Sequence, residues 1–155
     1  MSKKYKITKK DLVIIQNFID TIPYEDYIEV SKGSRFEVDI PKEHIFLGSK
    51  RFTQLDKYFF EWLAQRQKPT NYNFFVIALL HEVGHIMTQD DDNLEQRDIL
   101  DKIHSFMFDT DLIDERQYNY NYFGFPAEIE ATEWAIEYYN NNRQECEELA
   151  AMLGV

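Results

Sequence analysis

Apolar positions recur with helical spacing over most of the chain and with strand-like enrichment only near its start. Thr8 opens the first helical run as a candidate N-cap, and Leu12, Ile15 and Phe18-Ile19 form its stripe up to Pro23. Tyr27 to Val30 and Arg35 to Ile40 are rich in β-branched and aromatic residues, and Ser31-Lys32-Gly33-Ser34 between them predicts a hairpin turn. A third extended piece, His44 to Leu47, follows Pro41 and ends near Gly48. Beyond it the pattern is helical. Phe52 to Gln67 carries Leu55, Phe59-Phe60 and Leu63 at helical spacing before Pro69 stops it, and Asn73 to Thr88 is apolar through Leu80, as a helix buried on most sides requires. Leu94 to Met107 repeats Leu94, Ile99-Leu100, Ile103 and Met107, whereas Gln117 to Phe125, rich in Tyr and Asn, predicts a loop. Pro126 suits the first turn of a helix reaching about Asn140, and Arg143 to Leu153 closes at Gly154. An early, short, mostly antiparallel sheet followed by helices is an α+β layout. At 155 residues, one domain spanning 1–155 is expected.

Composition narrows the function classes. The formal charge of -11 repels phosphate backbones, so direct nucleic-acid binding driven by bulk charge is disfavoured. Charge is also uneven: Lys3, Lys4, Lys6, Lys9 and Lys10 fall in the first ten residues, and all 28 acidic residues follow. The lone Cys146 can form no internal disulfide and no cysteine zinc cluster, and it lacks the basic setting of a nucleophile. The longest apolar run, Phe74 to Leu80, is far shorter than a membrane span, and no apolar segment of signal-peptide length follows the basic start, so a cytoplasmic location is expected. The acidic run at 90–92 lacks the alternating ligands and glycine of a calcium loop and reads as a solvated loop.

One constellation carries chemistry. His81-Glu82-Val83-Gly84-His85 is an H-E-x-x-H motif at the end of the apolar helical run. Residues four apart share a helix face, so His81 and His85 can direct two imidazole nitrogens at one ion. Glu82 lies about 100° round the helix from His81, where it can reach a metal-bound water without being a ligand. Zinc would lower the pKa of that water to about 7, and the glutamate would accept its proton.

A tetrahedral site with one open position needs a third protein ligand. His44, in an extended segment, and His104, interrupting an amphipathic helix, are poorly placed and read as structural or exposed. The helix after Pro126 is the better source. With Glu128 at zero and ~100° per residue, Ala131, Ala135 and Tyr139 fall on its side, while Glu130, Glu133 and Glu137 cluster at about 140° to 200°. A carboxylate on a small-residue face needs a cation or strong donor. Glu128 is therefore the third-ligand candidate, with Glu130 as the fallback.

His81-Glu82-Val83-Gly84-His85 followed by Glu128-Ile129-Glu130-Ala131-Thr132-Glu133-Trp134-Ala135 resembles the ImmA/IrrE-type metallopeptidases, which show an H-E-x-x-H helix and a later E-x-E-A-N-x-F-A-like helix. Thr132 stands where that family usually has Asn, and Trp134 where it has Phe. The resemblance implies a small zincin fold, with Zn2+ held by His81, His85 and Glu128 and with Glu82 as general base. It also implies an origin in phage, mobile-element or bacterial genomes, and a protein substrate of which a transcriptional repressor is one example.

Two features flank the motif. The Ile40 to Leu47 region could hold substrate as an added strand or be an ordinary edge strand. Tyr118, Tyr120 and Tyr122 are expected to serve packing first, with a hydroxyl among them the alternative source of oxyanion stabilisation and nothing in the spacing to choose between them. The expected function is thus zinc-dependent hydrolysis of a peptide bond in a protein. The alternative is a zinc-binding regulatory or interaction protein that keeps the zincin fold without proteolysis.

Overall fold

The computed structural model describes residues 3–89 and 91–155. Among them the chain is α+β, with seven α-helices and a three-stranded sheet: α1 (Lys9–Asp20), β1 (Glu29–Lys32), β2 (Glu37–Asp39), β3 (His44–Leu47), α2 (Gln54–Gln65), α3 (Phe74–Met87), α4 (Asp91–Asp109), α5 (Glu115–Phe123), α6 (Pro126–Asn141) and α7 (Arg143–Leu153). No helix among the described residues is long and apolar enough to cross a membrane.

Local chemistry sets the helix starts. Thr8 and Asp11 close a capping box at α1, and Thr53 and Asp56 close another at α2. Asn73 caps α3 by accepting from the amides of Phe75 and Val76. Asp11 also takes an ion pair from Lys50 at 2.8 Å, and Lys50 donates to the Leu153 carbonyl at 3.1 Å. One lysine therefore ties α1, the segment after β3 and α7 together.

The sheet departs from the predicted hairpin. Its order is β1-β3-β2, with β1 parallel to β3 through Val30 opposite Ile45, and β2 antiparallel to β3 through Val38 opposite Ile45. The sheet is mixed, and β3 is central because it is the strand with most to bury: Ile45 and Leu47 are wholly inaccessible. Gly33 serves this arrangement and not a β1–β2 turn. Its amide donates to the Leu47 carbonyl, and a Cβ there would stand 2.9 Å from the Cβ of Phe46. Since β3 is paired on both sides, the Ile40 to Leu47 region offers no free strand edge to a substrate.

The core runs from the sheet through α3 to α6, α1 and α7. On α3, Phe75, Val76, Leu79, Leu80 and Val83 are inaccessible to solvent, matching the expectation of a helix surrounded by protein. The Tyr139 hydroxyl accepts from the Asn73 amide at 3.0 Å and donates to Glu147 at 2.9 Å, joining the end of α6 to the start of α3 and to α7.

Two further expectations are corrected. The segment read as a loop at 117–125 is mostly helix α5. Asp114 caps it by accepting from the Gln117 amide, and Phe123 buries itself against Trp62 and Phe59. Tertiary contacts override the poor helix propensity of its Tyr and Asn residues. In the acidic run, position 90 lies outside the described residues, and positions 91 and 92 begin α4 instead of a loop. Along α4, Ile99 and Ile103 face outward, whereas His104 is buried on the inner face, stacked on Tyr118 at 4.3 Å with Phe125 at its edge. Neither ring nitrogen of His104 has a hydrogen-bond partner among the described residues, and burial pushes its pKa down, so it is packed as a neutral imidazole.

Candidate metal centre

The site lies where α3 and α6 touch most closely. Gly84 and Ala131 make the approach possible: a Cβ on Gly84 would stand 2.4 Å from the Ala131 carbonyl oxygen. Ala131 and Ala135 are fully buried on the same face of α6. This close crossing sets the first turn of α6, which carries Glu128, against the last two turns of α3, which carry His81 and His85.

The three side chains converge. Glu128 Oε2 lies 2.5 Å from His85 Nε2 and 3.4 Å from His81 Nε2, and one ligand atom from each residue lies within 4.8 Å of the others. The imidazoles meet edge to face at 4.7 Å. His85 and Glu128 are buried and His81 is only slightly open to solvent. Two lone-pair nitrogens and a carboxylate oxygen at this spacing could hold a divalent cation. Although it lies beside both imidazoles, Glu128 Oε2 makes no hydrogen bond of good geometry among the described residues, which suits three donor atoms aimed at one common ion. Glu130, the fallback ligand, is half-buried and is not part of the cluster.

Thr132, one turn beyond Glu128, completes the surroundings of His81. Its Oγ1 lies 3.0 Å from His81 Nδ1. A proton on Nδ1 can be donated to this hydroxyl, leaving the Nε2 lone pair turned toward Glu128. Phe59 packs edge-on against the same ring.

Electrostatics knit the group. Burial would raise the Glu128 carboxyl, but the His81 and His85 imidazoles reverse this and hold it well below the usual carboxylate range. Burial would likewise lower His81, yet the Glu128 carboxylate beside it, with help from Glu82, pushes it up. Glu82 is raised above an ordinary glutamate, chiefly by burial and further by Glu128, against the pull of His81, His85 and Arg97.

Sequence spacing left three tyrosines undivided, and the fold separates them. Tyr118 stacks on His104, and Tyr120 donates to Glu61 at 2.8 Å. Of the three, Tyr122 is the one beside the centre, where burial and then the negative charge of Glu128 raise its pKa and keep it protonated. Arg97 of α4 is a residue the sequence reading missed; its charge is felt by both Glu82 and Tyr122. The signal was available, because Arg97, Leu100 and His104 share one helix face at i, i+3 and i+7. His44 is structural, with Nε2 2.7 Å from Ser31 Oγ and its ring stacked on Phe46. Cys146 is buried and its thiol is pushed up to about 12 by that burial, which leaves it unreactive.

No protein-family model matches this chain, and no curated protein or solved structure shows significant similarity to it.

Proposed function

We propose that this chain is a zinc-dependent peptidase of the ImmA/IrrE type with a zincin-like fold, acting on a protein substrate. The observation that carries the reading is the convergence of His81 Nε2, His85 Nε2 and the Glu128 carboxylate beside Glu82. His81, His85 and Glu128 would hold Zn2+, which supplies Lewis acidity toward a peptide carbonyl and toward water. Glu82 is the general base. Its raised pKa brings it closer to neutrality, where a carboxylate is a stronger proton acceptor than at its ordinary value. Tyr122, held protonated, is the hydrogen-bond donor available to a carbonyl oxygen that gains negative charge. Thr132 fixes the His81 ring without touching the reacting atoms.

One observation favours the alternative, a zinc-binding regulatory protein that keeps the fold without proteolysis. A groove of about 380 Å³ between α2 and α6, floored by Trp62, Leu63, Ile129 and Ile136, meets the centre only through Thr132, and none of His81, Glu82 or His85 lines it. Labelling of new N-termini in a protein library treated with zinc-loaded chain decides between the two. The peptidase reading expects cleavages with wild type that disappear with Glu82→Gln, a loss of at least about 10²-fold in rate, while bound zinc is unchanged. Identical maps from the two proteins would favour the binder.

Thr132→Val keeps the side-chain shape and removes the partner of His81 Nδ1. Zinc affinity, read by competition with a chelating indicator, should fall about 10- to 100-fold, and Thr132→Ser should retain most of it.

A further inference from the structure

Among the described residues, helix α4 has an outer face with no partner in this chain. Ile99, Ile103 and Phe106, spaced i, i+4 and i+7, are 54%, 56% and 64% exposed, and Leu112 just beyond the helix is 67% exposed. The opposite face is the one turned inward, with Leu100 half-buried and His104 buried. The stripe exposes on the order of 300 Å² of apolar surface, the size of the largest patch on a typical monomer, a patch that is often functional. Charge selects the occupant. Glu95, Asp98 and Asp109 run along one flank of the stripe, all exposed, with Lys102 as the one cation among them. A second copy of this chain packed antiparallel would bring acidic flank against acidic flank, and an anionic lipid surface would meet the same repulsion.

We infer that the outer face of α4 docks an amphipathic helix of a partner protein, one whose apolar stripe is edged on one side by lysines or arginines. Apolar anchors at i, i+3 or i+4 and i+7 would pack on Ile99, Ile103 and Phe106, and the cationic edge would lie over Glu95, Asp98 and Asp109. The inference stands whether or not the His–Glu centre hydrolyses peptides.

A short fluorescein-labelled helical peptide of leucine and lysine tests it by anisotropy at physiological salt, with a glutamate-for-lysine counterpart as control. The full chain should bind the lysine peptide saturably and the glutamate peptide not at all. Ile103→Glu and Phe106→Ser, both at exposed positions, should each weaken binding about tenfold with an unchanged circular dichroism spectrum. The sign for Ile103→Glu is diagnostic: added negative charge would tighten a merely electrostatic attraction. Equal or tighter binding by Ile103→Glu, or no binding by wild type, overturns the proposal. So does wild-type self-association that Ile103→Glu abolishes, which would make a second copy the occupant, or co-sedimentation with phosphatidylglycerol vesicles, which would make it a lipid surface.

Discussion

Glu128→Ala is expected to abolish tight zinc binding, with affinity falling by well over the ~100-fold that loss of an outer-shell partner costs. The reason is geometric: Glu128 supplies the only anionic donor of the His81, His85 and Glu128 group, and it sits 2.5 Å from His85 Nε2 and 3.4 Å from His81 Nε2. Metal-free protein gives a second readout. The folded Glu128 pKa is depressed, so its contribution to stability is present above the unperturbed 4.5 and is lost as pH falls toward the folded value. The folded His81 pKa is raised, so its contribution is full below the unperturbed 6.5 and is lost as pH rises through the folded value. The pair therefore stabilises the metal-free chain most between about pH 4.5 and 6.5. Urea unfolding in the presence of chelator should show that maximum in wild type. Glu128→Ala should lack it and lose about 3 kcal/mol at pH 5.5, the cost of breaking a buried ion pair. An unchanged pH profile in the variant would mean that the two groups are not coupled.

Gly84→Ala should be the most disruptive of the glycine-to-alanine changes in this chain. The added Cβ would meet the Ala131 carbonyl oxygen at 2.4 Å and its Cα and carbonyl carbon at 3.0 Å, all backbone atoms that no rotamer change can move. Alanine gains about 1 kcal/mol of helix propensity over glycine, but forcing α3 and α6 apart at their closest point costs about 3 kcal/mol, so the net change is destabilising. The same displacement carries Glu128 away from His81 and His85, so zinc affinity should fall with the urea midpoint. Gly124→Ala is the control. It lies at helical φ, its nearest neighbours would be at 3.4 Å or more, and it should leave both measurements nearly unchanged.

The centre was legible because its geometry is local to two helices. His81 and His85 four apart, and Glu128 on the alanine face of a second helix, follow from 3.6 residues per turn alone. Caps were legible for the same reason: Thr8 and the Pro126 start are properties of adjacent residues. The sheet order was not, since β3 enters between β1 and β2 by pairing with β1 over a separation of 15 residues, Val30 to Ile45, and Gly33 signals close approach as readily as a turn. Helix α5 was hidden because its Tyr and Asn residues gain from Trp62, Phe59 and His104 what their intrinsic propensities lack. On α4 the apolar repeat correctly predicted a helix but not its orientation, because Ile99 and Ile103 lie outside and a histidine takes the inner position.

The central claim is that His81, His85 and Glu128 form one zinc site. Diffraction from crystals of protein purified without chelator, recorded on either side of the zinc absorption edge, tests it most directly. One anomalous peak about 2.0–2.2 Å from Nε2 of His81, Nε2 of His85 and a Glu128 carboxylate oxygen is the predicted result. A map without that peak after zinc addition, or with its only peak on other residues, would contradict it.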